Sequence, residues 1–250
     1  MEVYSLRCES AWYSHTPFSG KCRSNPGRAS GRQAGDQWRQ LGWNFDREAP
    51  SAMRDLSAFS ASDFDRGAPR WKEAAWLAAK WFFFQTSVPW PSALRVALLR
   101  IFGASVGRGV VIRANVNVSF PWRLTVGDHV WLGEEVMILS LAPVKIGANV
   151  CVSQRAFLCT GSHDHQKKTF DLVVRSIALG AGCWVAAQSF IGPGVEVGAG
   201  SVVSAGSVVM SSIPAHVLVR GNPAQVVKSL EAADMRAVSG ESADFQKERG

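Results

Sequence analysis

Residues 179–209 read LGAGCWVAAQSFIGPGVEVGAGSVVSAGSVV, and their spacing decides the fold. Leu179, Val185, Ile191, Val197, Val203 and Val209 stand six residues apart without a miss. Leu, Ile and Val make up about a third of this stretch, so six in register is a chance of roughly one in a thousand before choice of phase. An α-helix would need a 3.6-residue period, and a hairpin meander would not hold its phase this long. A second series runs upstream through Val106, Ile112, Val118 and Leu124. A two-residue slip leads to Val126, Leu132, Ile138 and Val144, and a second slip to Ile146, Val152 and Leu158.

The other positions of the hexad agree. Glycine follows the aliphatic residue at 107, 127, 133, 147, 180, 192 and 198. Four places after the aliphatic comes a small or β-branched side chain, among them Val110, Val130, Val150, Cys183 and Ser201. A chain that turns once per six residues needs an inward aliphatic and a tight corner in each unit, and glycine or another small residue supplies the corner. Three units close a triangular coil, and stacked coils bury their aliphatics on one another. The expected fold is an all-β parallel solenoid of hexapeptide repeats over residues 103–228, with a helical segment before it.

The flanks differ in texture. Residues 1–52 are rich in Arg, Ser, Gly and Trp and lack periodicity. They read as disordered, or as lying outside the natural product with translation starting at Met53. Residues 53–102 form a helical cap in two pieces. In the first, Trp71, Ala74, Ala75, Ala78, Trp81 and Phe82 share one face. Pro89 and Pro91 end it. The second starts near Ser92 as N-cap and carries Leu94, Ala97, Leu98 and Ile101. Covering the open end of the solenoid is the favoured role of 71–102; peripheral membrane contact is the other. Residues 229–250 make a polar tail.

Composition narrows the function. The chain has 250 residues, 47% of them hydrophobic, enough for a sizeable core. No window reaches the ~18 apolar residues of a membrane span. Met1–Ser10 lacks the basic-then-apolar pattern of a secretory signal. Five scattered cysteines without metal-ligand spacing suit a reduced, cytoplasmic setting. A net charge of +7 invites an anionic partner. The basic residues are too dispersed for a nucleic-acid-binding arm, which leaves a membrane surface or cofactor phosphates.

Several motifs resemble the hexapeptide-repeat acyltransferases, in particular those of colanic-acid and exopolysaccharide biosynthesis. They are Phe120-Pro121-Trp122, Val152-Ser153-Gln154, Leu158 to Asp164, Gly192-Pro193-Gly194 and Gly221-Asn222-Pro223-Ala224. The upstream Asp55-Leu56 and Asp63 to Gly67 resemble the start of that subfamily. The resemblance implies a left-handed β-helix, acetyl-CoA as donor without a metal, a homotrimer, and a sugar hydroxyl, free or lipid-linked, as acceptor.

Between Leu158 and Leu179 the hexads lapse, and Thr160 to Ser176 holds His163 and His165. A break in a solenoid is where a functional loop sits. Acetyl transfer to a hydroxyl needs a base titrating near neutrality, which suits histidine. The resemblance gives that role to His163 and implies that Trp184, Ala187 and Ala205 meet the cofactor in a groove between subunits. Arg220 and Lys228 would meet its phosphates. Glu134, on a coil below His163, and Asp164 are the acceptor-binding candidates. His165 reads as a solvated loop residue, and His129 and His216 as coil corners. Three alternatives stay open: a non-catalytic scaffold, a serine or xenobiotic acceptor, and a γ-type carbonic anhydrase. The last would need a third, suitably spaced histidine.

Overall fold

The computed structural model describes residues 54–61, 64–86 and 88–230. The expectations for residues 1–52, the start at Met53, and the tail beyond Leu230 lie outside the described residues. Within them the chain winds as a parallel β-solenoid of three sheets. Sheet 1 stacks the strands that carry Val106, Val126, Ile146, Leu179 and Val197. Sheet 2 stacks those with Ile112, Leu132, Val152, Val185, Val203 and Val219. Sheet 3 stacks those with Val118, Ile138, Leu158, Ile191 and Val209. Every aliphatic of the hexad series therefore lies directly over its counterpart one coil away, and most are fully buried. The residue four places on, from Val130 to Ser201, points inward too.

The sequence slips have one location. Val106, Val126 and Ile146 are in register, so the first coils take twenty residues. Leu179 and Val197 are in register across eighteen. All extra residues fall at the corner where sheet 3 passes into sheet 1. Buried hydroxyls hold the widened turns there. Ser140 Oγ donates to Phe120 O at 3.0 Å and accepts from Phe120 N at 2.9 Å. Thr160 Oγ1 accepts from Ala142 N at 3.0 Å and donates to Leu139 O at 2.6 Å.

The glycines after the aliphatics do a different job from the expected one. The left-handed position of each turn lies two residues later; glycine fills it at 109, 182, 194, 200 and 206, and Asn115, His129, Glu135, Asn149, Arg155, Gln188 and His216 fill it with φ between 56° and 59°. His129 and His216 are thus corner residues, as their spacing indicated. Gly127 is required by close stacking instead: a Cβ there would sit 2.6 Å from Ala148 N on the next coil.

Two helices, α1 (Arg70–Phe83) and α2 (Ser92–Ile101), cover the N-terminal end of the solenoid. Trp76 Nε1 donates to Val118 O at 3.0 Å, and its ring packs on Phe84 and Phe102. Helices precede the solenoid, but the face of the first that turns inward is the opposite of the expected one. Trp76, Phe83 and Phe84 turn to the core, while Trp71, Ala74, Ala75, Ala78, Trp81 and Phe82 turn to solvent. Likewise Val96 and Leu99 are buried and Ile101 exposed. Ser92 is not the N-cap; Pro91 holds that position. Its Oγ instead accepts from Ile112 N at 2.8 Å, tying α2 to the first coil.

Buried Arg95 fastens both helices. Its guanidinium donates to Phe83 O and Trp90 O, each at 3.0 Å, and to Ile112 O at 3.3 Å. Burial holds its pKa below the usual arginine value. Replacing it with Leu strands three carbonyls, a cost partly offset by no longer burying a charge. We expect Arg95→Leu to lower unfolding free energy by about 2–3 kcal/mol, read as a drop in the urea midpoint.

Candidate active site

The largest insertion at the widened corner folds back on itself. Strand Gly161–His163 pairs antiparallel with Leu172–Val174, placing His163 opposite Leu172. The connecting turn is held by Asp164, whose Oδ1 accepts from Gln166 N at 3.0 Å and whose own amide donates to Asp171 O. Lys167 and Asp171 pair at 2.7 Å. One carboxylate oxygen of Asp164 thus has a local structural role.

The imidazole of His163 is fixed by two phenylalanines that periodicity could not mark. Its Nδ1 lies 2.8 Å from Phe170 O. A carbonyl can only accept, so Nδ1 carries the proton and Nε2 presents a lone pair. Phe170 holds this geometry in the left-handed region, φ 50°, which is rare for a bulky residue. Its ring stacks on the imidazole at 4.3 Å with 3° between planes. Phe59 meets the imidazole edge-on at 5.4 Å. Arg54 lies over the Phe170 ring and donates to His165 O, and Asp55 N donates to Lys168 O. Exposed His165 contributes only that carbonyl.

Residues 64–67, a strap just ahead of α1, are anchored by the Phe120-Pro121-Trp122 motif. Phe64 packs against Phe120, Trp122 Nε1 donates to Arg66 O at 2.8 Å, and Arg123 binds Asp65 O and Leu141 O. Between strap, α1 and corner runs an apolar cleft of about 370 Å³ lined by Phe64, Trp76, Leu77, Lys80, Phe120 and Leu172. A smaller cleft beside His163 is bounded by Ser162, Arg175, Pro193 and Met210. Cys159 is close by, but burial pushes its thiol up, so it stays protonated rather than acting as a nucleophile.

The remaining candidates lie elsewhere on the same chain. Trp184 stands on the outer face of sheet 2, half exposed, with Nε1 donating to Ser153 Oγ at 2.9 Å. Glu134, Ala187 and Ala205 sit at the corner between sheets 2 and 3. Arg220 and Lys228 lie on the terminal hairpin of sheet 2, Val217–Gly221 with Ala224–Ser229. Glu134 does not reach His163 within one chain; it pairs with Arg113 at 3.0 Å. Ala187 O is committed to the ladder, accepting from Gly206 N at 2.9 Å. Sheet 3 therefore separates the histidine from the small-residue corner by roughly 15–20 Å, the length of a six-residue edge. The outward rows of sheets 2 and 3 are mostly apolar, with Val111, Trp131, Cys151, Trp184 and Val202 on one and, beyond Asn117, Met137, Phe157, Phe190 and Val208 on the other. Sheet 1 presents Thr125, Lys145 and Glu196.

No family model matches the chain. It is 43% identical over 176 residues to WcaF of Escherichia coli K12, a protein assigned to colanic acid biosynthesis as an acetyltransferase. The match covers 70% of this chain and 97% of that protein. The hexapeptide-repeat acetyltransferase VCA0836 of Vibrio cholerae, solved with acetyl-CoA, superposes with a TM-score of 0.60 at 27% identity, over 65% of this chain and 88% of its own. A galactoside acetyltransferase solved with coenzyme A gives the same TM-score at 25% identity, covering 66% and 84%. With near-complete coverage of WcaF and a solenoid in the expected register, the chain belongs to the hexapeptide-repeat acetyltransferases.

Proposed function

We propose that the protein transfers acetyl from acetyl-CoA to a hydroxyl of a sugar used in cell-surface polysaccharide assembly, with His163 as general base. The observation that carries this reading is the clamped imidazole, whose Nδ1 is held by Phe170 O and whose Nε2 is left as a base. The acceptor hydroxyl gives its proton to Nε2 as its oxygen attacks the thioester carbonyl. The C–S bond then breaks, and the departing thiolate recovers the proton from the imidazolium. The solved complexes of the Vibrio cholerae and galactoside enzymes support the choice of donor.

The donor fits the corner between sheets 2 and 3. Small residues at 186, 187, 205 and 206 allow close approach, and the space above Gly206 is open. Trp184 offers a flat contact, while Arg220 and Lys228 supply positive charge for the phosphates. Because sheet 3 separates this corner from His163, we infer that donor and base come from neighbouring copies. A ring of three gives equivalent sites and covers the apolar rows of sheets 2 and 3. In such a ring Glu134 and Asp164 are the acceptor-side candidates. Free thiols at Cys151, Cys159 and Cys183 suit the reducing cytoplasm.

The test is calorimetry of acetyl-CoA with the whole protein. Saturable binding displaced by free CoA is expected. A folded protein that gives no heat at millimolar acetyl-CoA would overturn the transferase reading in favour of a scaffold.

A further inference from the structure

We propose that the outward face of the helical cap docks the protein onto an anionic lipid bilayer. The polarity of α1 is reversed relative to an ordinary surface helix, which hides its apolar stripe and wets its charges. Here the charged residues are turned toward the protein. Lys80 Nζ is half-buried and donates to Asn117 Oδ1 at 3.1 Å. Lys72 lies over the Trp122 ring, and Glu73 pairs with Arg66 at 2.6 Å. The side facing away carries Trp71, Leu77, Trp81 and Phe82, which are 72%, 56%, 63% and 57% exposed, with alanines between them. On α2 the outward Ile101 is 74% exposed. Both helices rest on the first coil by their inner faces, so these outer faces share the N-terminal end of the solenoid.

Neither helix is long and apolar enough to cross a membrane. An apolar, tryptophan-bearing face on a short helix suits shallow insertion at a bilayer interface, where indole rings concentrate. The surrounding charge selects the occupant. Of the eight Lys and Arg between residues 64 and 113, Arg95 is buried and Arg66, Arg108 and Arg113 pair with Glu73, Asp128 and Glu134, which leaves Arg70, Lys72, Lys80 and Arg100 against Asp65. A second copy meeting this end would set like charges against each other, whereas an anionic leaflet attracts them. The apolar cleft beside the His163 hairpin has Leu77 and Lys80 of α1 in its wall. A bilayer at this face would thus border the site.

Flotation of the full chain with vesicles tests this without reference to acetyl transfer. Binding is expected to vesicles of phosphatidylcholine with a quarter phosphatidylglycerol, to weaken in high salt, and to be poorer on phosphatidylcholine alone. Trp81→Glu with Phe82→Glu should reduce partitioning about ten-fold or more with unchanged circular dichroism. Trp71→Glu, at the exposed start of α1, gives an independent reading should the double variant misfold. Absent binding, or equal binding by parent and folded variants, overturns the proposal. So does a parent that ignores vesicles but self-associates in sedimentation through a contact these substitutions abolish. Because the readout is lipid binding, failure here is distinguishable from failure of the transferase assignment.

Discussion

His163→Ala is expected to fold and bind acetyl-CoA as the parent does, and to turn over about 10²–10⁴-fold more slowly. The side chain sits on a surface hairpin, outside the stacked core, so its loss costs little stability. Steady-state kinetics on a sugar acceptor, with matched melting curves, reads both halves of the claim. Activity within a few-fold of the parent would remove His163 from the base role. Phe170 gives a finer test as a positioning residue. Phe170→Asn tolerates the left-handed backbone and keeps the carbonyl aimed at Nδ1, whereas Phe170→Val disfavours it. Asn should therefore retain much more kcat than Val, and the Nδ1–H tautomer seen by nitrogen NMR should persist only in Asn.

Gly147→Val is expected to destabilise the solenoid strongly. A Cβ at 147 would lie 2.7 Å from Ala181 N and 2.9 Å from Ala181 Cα, all backbone, with no flexible side chain able to yield. The third and fourth coils must part to admit it, breaking the Gly147 N to Leu179 O bond of 2.8 Å. Overpacking of this kind costs about 3 kcal/mol, a fall in melting temperature of roughly 10 °C. The same substitution at Gly206, where the added carbon meets nothing within 4 Å, should act only through its positive φ and cost less. Thermal melts of the pair separate stacking from backbone strain; equal losses would contradict the stacking account.

Much of this was readable in the residues because burial in a solenoid is strictly periodic. Val185 over Val203 and Ile191 over Val209 follow from counting by six. Orientation was less legible. α1 is apolar on both sides, so its period named a stripe but not a direction, and the tighter aromatics Trp76 and Phe84 took the core. Glycine's role was only half legible: it fills the left-handed corner at 109, 182, 194, 200 and 206, but Asn, His, Glu, Gln and Arg fill the others, and the glycines directly after the aliphatics serve close stacking instead. At the site, the histidine was visible as a chemical type within a broken repeat. Phe170 was not, since its contribution is a backbone carbonyl set by an unusual φ. Nor could spacing show that Glu134 and His163 belong to different edges of the triangle.

Confining every extra residue to one corner has an evolutionary corollary. Ile146 still meets Leu179 and Leu158 still meets Ile191, so the ladders on either side close as though nothing had been spliced between them. Residues 160–176 behave as a cassette: their length and wording can change while two of the three edges keep their chemistry. On the function proposed above, selection for a new acceptor would act chiefly on that cassette, with the proposed donor edge inherited intact.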